Sequence, residues 1–200
     1  SLIQKDRNTD NVYLGYSSPK TPTRVYLYNL STKTKKLVKE QEIPSGHNSN
    51  NYIVERIEFE SHDGRLVPLT ITRHKKTKID GTANLLLYGY GSYGSSMSPN
   101  FSSTRISLID RDIIWATAHI RGGMEKGMKW WKEGKLTNKK NTFEDYIFAA
   151  KYLINHKYSS KGKIIGMGGS AGGLLMGAVV NQAPELFLGI IMAVPFVDSL

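Results

Sequence analysis

The chain has 200 residues, and its 27 lysines and arginines against 17 aspartates and glutamates give a formal charge of +10 at pH 7. A hydrophobic share of 40% is enough for a packed core and excludes a globally disordered chain. The absence of cysteine excludes a disulfide framework, a thiolate zinc site and a cysteine nucleophile. It also fits a reducing compartment, so we expect a cytoplasmic protein.

The basic charge is scattered along the chain. The lysines fall into separate patches, one of them between Lys126 and Lys140, and such patches are usually solvated faces. We therefore expect no nucleic-acid partner, although a basic nucleic-acid binder stays open as an alternative. No window holds the roughly 18 uninterrupted apolar residues of a membrane helix, so we expect no membrane partner either.

Residues 1–47 are predicted to be part of an all-β unit. Short β-prone runs at 11–17, 24–29 and 35–40 are separated by turn-forming residues. Three short antiparallel strands cannot bury a core alone, so they indicate the C-terminal remnant of a larger unit such as a β-propeller. The polar stretch at 44–51 is the candidate linker to the next domain.

Strand and helix patterns alternate through residues 48–200. Two helices are predicted, one over 172–182 and one opened by Thr142, whose hydroxyl is expected to cap the first turn together with Asp145. This alternation predicts parallel pairing and a mostly parallel sheet with flanking helices, the N-terminal part of an α/β domain. After a hairpin at 53–73, buried apolar strands are predicted at 84–88, 112–120, 163–167 and 188–194.

The sequence Gly168-Gly169-Ser170-Ala171-Gly172 follows a predicted strand and precedes a predicted helix. A G-x-S-x-G segment in this context is typical of the nucleophile elbow of α/β-hydrolases. Such a turn forces strained backbone angles on the serine and requires small residues two positions away on each side. The Ala171 N–H, at the start of the helix, can then hold an oxyanion. A glycine-rich connection or a phosphate-binding loop is the alternative interpretation.

Two further segments follow predicted strands. Residues 88–94 read YGYGSYG, and in α/β-hydrolases the loop after this strand supplies the second oxyanion donor. By itself this run also fits a glycine-rich turn with aromatic packing. In the segment at 119–127, His119 is expected to pack at the strand end and Arg121 to pair with a nearby acid.

Together these segments resemble the prolyl oligopeptidase family, and most closely its oligopeptidase B branch, also called protease II. The resemblance implies a truncated fragment, in which a propeller-blade remnant precedes a partial α/β-hydrolase peptidase domain. Ser98 and Asn100 stand where bacterial members have acidic residues that receive a second basic residue, which argues against a dibasic preference. The matching segments, in the family's order, are LLYGYGSYG (86–94), HIRGG (119–123), KNTFEDYI (140–147), GMGGSAGGLLMG (166–177), NQAPELF (181–187) and VPFVDSL (194–200).

The resemblance implies a role for each candidate site residue. Ser170 would be the nucleophile, and the Tyr90 hydroxyl and the Ala171 N–H would donate to the oxyanion. Tyr93 would line the pocket for the residue before the scissile bond. The family cuts short peptides without a cofactor or a metal, and the oligopeptidase B branch prefers to cut after Lys or Arg.

The acid and the base of a catalytic triad are not assigned within the chain. In this fold the order along the sequence is Ser, Asp, His, and no histidine follows Ser170. His119 and His156 precede the serine, and Asp198 stands where the family has a structural aspartate. We therefore expect the isolated chain to be inactive as a peptidase. An esterase of the same fold, and a non-catalytic or split-gene half that needs a second chain carrying the Asp and His, stay open as alternatives.

Overall fold

The computed structural model describes residues 2–3 and 8–196, with side chains from residue 8 onward. The strands are β1 (Leu2–Ile3), β2 (Asn11–Ser18), β3 (Thr21–Asn29), β4 (Lys35–Glu40), β5 (Tyr52–Glu60), β6 (Leu66–His74), β7 (Leu85–Tyr88), β8 (Ile114–Ala118), β9 (Ile164–Gly169) and β10 (Phe187–Ala193). The α-helices are α1 (Ser103–Ile109), α2 (Met128–Lys132), α3 (Lys140–Asn155) and α4 (Ala171–Gln182), and short 3-10 helices cover Ser49–Asn51, Leu136–Asn138 and Pro184–Leu186. In this described part of the chain, none of the helices is long and apolar enough to span a bilayer.

The first four strands form an antiparallel sheet in chain order. β1 is a strand beyond the three that the sequence predicts. Every residue of β4 is exposed, and Val12, which is 8% exposed, is the one buried residue of β2. A sheet with so few buried side chains does not form a hydrophobic core of its own.

The second sheet has six strands in the order β10-β9-β7-β8-β6-β5. β10, β9, β7 and β8 run parallel, and the hairpin of β5 and β6 joins β8 antiparallel. The prediction of a mostly parallel sheet with flanking helices is therefore confirmed, although α1 and α2 were not predicted. Leu85, Leu87 and Ile164 have no exposed surface at the centre of this sheet. α3 and α4 pack on this core, whereas α1 packs in a second cluster with Tyr52 and Trp115.

A buried ion cluster joins the β5–β6 hairpin and the end of β8, both in the second sheet, to the helix α3. The Arg121 guanidinium, which follows β8, is 1% exposed and donates to Asp145 of α3 through Nε (2.9 Å) and Nη2 (2.7 Å). Its Nη1 donates to Asp63, in the turn between β5 and β6, at 2.6 Å. Asp145 also accepts hydrogen bonds from the Ser61 hydroxyl at 2.6 Å and from the Arg121 backbone N–H at 3.0 Å. The expected ion pair of Arg121 is present, and it uses two acids.

The predicted cap of α3 is wrong. The helix begins at Lys140, so Thr142 lies inside it and is fully buried. The Thr142 hydroxyl donates to the Arg121 carbonyl at 2.8 Å instead of to the first turn of its own helix. The Asp145 carboxylate accepts hydrogen bonds from Arg121 as well. Both side chains of the Thr-x-x-Asp pattern therefore make tertiary contacts and do not cap the helix.

Asp145→Ala is expected to lower the free energy of unfolding by about 3–5 kcal/mol, because it leaves the buried Arg121 charge without its main partner. Denaturant unfolding followed by circular dichroism measures the change. Glu144→Ala removes the neighbouring carboxylate, which is only half-buried, and is the matched control. We expect it to stay within about 0.5 kcal/mol of the unsubstituted protein. Similar losses for the two variants would contradict the account of the cluster.

Candidate active site

Ser170 lies at the apex of the turn between β9 and α4. Because β9 ends at Gly169 and α4 begins at Ala171, this single residue makes the turn. It is exposed, with φ 54° and ψ −119°. An L residue in such a sparsely populated region is strained by about 1–3 kcal/mol, so the surrounding structure has to impose it. The Ser170 N–H donates to the Ala193 carbonyl at 2.9 Å, and its carbonyl accepts from the Gly173 N–H at 2.8 Å.

The glycines on either side of Ser170 lie against backbone. A Cβ on Gly168 would collide with the backbone of Gly172, and a Cβ on Gly172 would lie 3.0 Å from the Gly89 carbonyl oxygen. These distances explain the requirement for small residues inferred from the sequence. β9 meets the first turn of α4 so closely that no side chain fits between them.

The first turn of α4 presents the N–H groups of Ala171 and Gly172 at the helix start, whereas the Gly173 N–H is bonded to the Ser170 carbonyl. The first four N–H groups of a helix have no acceptor within it, and the helix dipole favours negative charge there. Ala171 opens α4 and is 5% exposed. The first turn of α4 contains no acidic side chain that would offset this partial positive charge. The Ala171 N–H is therefore suited to bind an oxygen that gains negative charge during a reaction.

The loop after β7 brings Tyr90 to the same end of α4. β7 and β9 are adjacent parallel strands, and the Gly89 N–H donates to the Met167 carbonyl at 3.1 Å. A Cβ on Gly172 would lie 3.4 Å from Cδ2 of Tyr90, so the tyrosine ring packs on the first turn of α4. Tyr90 is therefore close to the helix end that Ser170 precedes. Its role as an oxyanion donor stays a prediction.

A mostly apolar pocket of about 420 Å³ is lined by both Ala171 and Tyr93. Tyr93 has φ 56° and is 76% exposed. Trp131, Leu136 and Phe196 line other parts of the pocket. An apolar cavity of this size beside a hydrogen-bond donor is suited to a substrate side chain. The role of Tyr93 in substrate binding stays a prediction.

Within the described residues, no histidine is hydrogen-bonded to Ser170. His119 is buried, and its Nε2 lies 2.8 Å from the Thr70 hydroxyl, so it is the packed strand-end residue that we expected. His156 is exposed at the C-terminal end of α3, also as expected. Asp198 lies outside the described residues. A base for Ser170 therefore stays unassigned.

Asp63, Asp145 and Lys139 have contacts that the sequence interpretation does not reveal. Asp63 lies in the turn of the predicted hairpin, where no role is expected for it, and Asp145 is expected to take part in a helix cap. Asp145 lies on the buried face of α3, and a charge on a buried helix face is itself a signal of an internal ion pair. Lys139 belongs to a lysine-rich segment that was interpreted as solvated, yet it is half-buried and bonded to the loop after β7. No local pattern marks that contact, because its partners lie nearly fifty residues earlier in the chain.

Gly168→Ala is expected to lower the free energy of unfolding by about 1–3 kcal/mol, because the new methyl group would overlap the Gly172 backbone. Gly177→Ala in α4 is the matched control, since a Cβ there meets nothing within 4 Å. We expect that control to be neutral or to stabilise the protein by up to about 1 kcal/mol. Denaturant unfolding compares the two variants. Equal effects would contradict the close approach of β9 and α4.

Comparison with known protein sequences gives one family and several similar peptidases. A sequence profile described as the prolyl oligopeptidase family matches residues 99–200. Dipeptidyl aminopeptidase BI of Pseudoxanthomonas mexicana is 46% identical over 194 residues, which cover 96% of this chain and 27% of that protein. Protease 2 of Moraxella lacunata is 41% identical over 197 residues, covering 98% of this chain and 29% of that protein.

Solved structures of similar proteins have the same fold over the length of the chain. Oligopeptidase B from Leishmania major is 40% identical with a TM-score of 0.89, over 96% of this chain and 27% of that one. Oligopeptidase B from Trypanosoma brucei, solved with covalently bound antipain, is 37% identical with a TM-score of 0.91, over 99% of this chain and 28% of that one. The chain therefore spans between a quarter and a third of the length of these relatives. The family profile covers half of the chain, and the chain belongs to the prolyl oligopeptidase family of serine peptidases.

Proposed function

We propose that this chain carries the nucleophile and the oxyanion hole of an oligopeptidase that hydrolyses short peptides through an acyl-enzyme on Ser170. The observation that carries the proposal is an exposed serine at positive φ on a strand-to-helix turn, beside the N–H groups of α4 and the ring of Tyr90. Membership of a serine peptidase family supports the same reaction.

In the proposed reaction, Ser170 Oγ attacks the carbonyl carbon of the scissile bond and its proton passes to a general base. The carbonyl oxygen becomes an oxyanion and accepts hydrogen bonds from the Ala171 N–H and the Tyr90 hydroxyl. The C–N bond then breaks, and the leaving amine takes the proton from the base. Water gives a proton to the same base, attacks the ester and releases the acyl group, and Ser170 regains its proton.

We propose that the base and its partner acid come from residues beyond those described. No histidine follows Ser170 in the sequence, although the triad order in this fold is Ser, Asp, His. In the prolyl oligopeptidase family, the Asp and the His follow strands that come later in the sequence than the serine. Either a longer form of the protein or a second chain would supply them. Without them the Ser170 hydroxyl is not activated, and the isolated chain is inactive.

We propose that the peptide is cut after Lys or Arg. The similarity to protease 2 and to oligopeptidase B supports this, because the oligopeptidase B branch has that preference. The described residues that line the pocket beside Ala171 include Lys135 and Lys139 and no acid. In this proposal, the acidic groups that select a basic side chain are residues other than those that line this pocket. Ser98 and Asn100 supply no such charge.

We propose that residues 1–47 are the remnant of a propeller blade and that residues 48–200 are the N-terminal part of the catalytic domain. The sheet of β1–β4 supports this division, because a propeller blade is a four-stranded antiparallel sheet. In the prolyl oligopeptidase family, the propeller admits short peptides and excludes folded proteins. A cytoplasmic location belongs to the same proposal, and the cysteine-free composition supports it.

A form of the protein that includes the Asp and His should cleave peptide reporters after Arg or Lys, with kcat/KM at least about tenfold higher than after Leu or Pro. Ser170→Ala should lower kcat by more than about 10⁴-fold, because the nucleophile is lost. Residues 1–200 alone should cleave no faster than their Ser170→Ala variant. Fluorogenic peptide assays measure all three results.

The other outcomes separate the alternatives. Cleavage by residues 1–200 that Ser170→Ala abolishes would show that the chain contains its own base. Turnover of a small ester, without turnover of a matched peptide, would favour an esterase of the same fold. No activity on either, even with a second chain that carries the Asp and His, would favour a non-catalytic role. A salt-sensitive DNA gel shift would favour a nucleic-acid binder.

A further inference from the structure

Lys139 directs a charged side chain to the loop that contains Tyr90. It lies between the 3-10 helix Leu136–Asn138 and α3. Its ammonium donates hydrogen bonds to the Gly91 carbonyl at 2.6 Å and to the Ser92 hydroxyl at 2.7 Å. Both acceptors come directly after Tyr90 in the chain. The N-terminal end of α3 therefore holds the loop that follows β7.

This ammonium has no acidic partner among the described residues. Lys126, by contrast, lies 2.8 Å from Glu58. Burial lowers the pKa of Lys139 to about 8. Removing a cation from water costs free energy, and neutral acceptors offset less of that cost than a carboxylate would. An uncharged side chain would fill the same space at a lower cost, so the position of Lys139 points to a task beyond packing.

The contacts of Lys139 fix the peptide group between Gly91 and Ser92, which is the second peptide group after Tyr90. Gly91 has φ 66°, and a Cβ there would collide with side chains of α3 and of the segment after β8, so the loop lies tightly against both. On the other side of Tyr90, the Gly89 N–H is bonded to the Met167 carbonyl at 3.1 Å. With the backbone held on both sides, the direction of the Tyr90 side chain is restricted.

We propose that Lys139 is a positioning residue of the oxyanion hole, whose ammonium holds residues 91 and 92 so that the Tyr90 hydroxyl reaches the developing oxyanion. This inference rests on the proposed function, in which Tyr90 donates to the oxyanion. That hydrogen bond forms fully only in the transition state. Loosening the loop therefore lowers kcat and leaves KM nearly unchanged.

The first test uses the form of the protein that includes the Asp and His and cleaves peptides. Lys139→Met removes the charge and both hydrogen bonds, and we expect kcat to fall about 10–100-fold while KM changes less than about threefold. Lys139→Arg keeps a charged donor and should return kcat to within about tenfold of the original. Lys140→Met, at the exposed neighbouring lysine, is the matched control and should change kcat less than about twofold. Thermal unfolding of each variant shows that it is folded.

A double-mutant cycle tests whether Lys139 acts through Tyr90. Tyr90→Phe alone should lower kcat by about 10²–10³-fold. In that background Lys139→Met should lower kcat by less than about a further threefold, because the hydroxyl that it positions is gone. The same loss in both backgrounds, or an unchanged kcat for Lys139→Met alone, would overturn the inference. If Lys139→Met does not fold, Lys139→Gln replaces it in the same cycle.

Ser170→Ala distinguishes failure of this inference from failure of the proposed function. Peptide cleavage that survives Ser170→Ala would overturn the proposed function and this inference together. Cleavage that is lost in Ser170→Ala and weakened in Tyr90→Phe, but unchanged in Lys139→Met, would overturn the role of Lys139 alone.

Discussion

The buried guanidinium of Arg121 holds the hairpin of β5 and β6, the end of β8 and the helix α3 in one arrangement. The guanidinium donates hydrogen bonds to Asp63 in a surface turn and to Asp145 in the interior. The backbone carbonyl of Arg121 accepts a hydrogen bond from the Thr142 hydroxyl. A buried cation that loses one of its acids is costly, so these elements cannot shift independently. The position of α3 matters for the site because its N-terminal end contacts the loop after β7 through Lys139.

The candidate site is built by two close approaches, and the second of them is linked to this frame through α3. β9 meets α4 through Gly168 and Gly172, which leaves Ser170 strained and exposed at the apex of the turn. The loop after β7 is held by Lys139 on one side of Tyr90 and by β9 on the other. Strain at Ser170 and burial of the Lys139 charge both cost stability, and in the proposed reaction both serve to place the groups that acyl transfer needs.

The sequence predicts those parts of the molecule that depend on local pattern. Apolar runs and glycine spacing involve only residues that are close together in the sequence, and they predict the parallel sheet and the strained turn at Ser170. The contacts of Lys139 and of Asp145 join segments that are distant in the sequence, so local pattern does not reveal them. The cap predicted at Thr142 fails for the same reason, because a tertiary hydrogen bond to Arg121 takes the hydroxyl that a capping box would use.

The central claim is that Ser170 is an activated nucleophile once the base and acid are supplied. Labelling the peptide-cleaving form of the protein with a fluorophosphonate, followed by mass spectrometry of its peptides, tests this directly. We expect one modified residue, Ser170, and slower labelling when a peptide substrate is present. Labelling at a different residue, or no labelling of a protein that cleaves peptides, would contradict it.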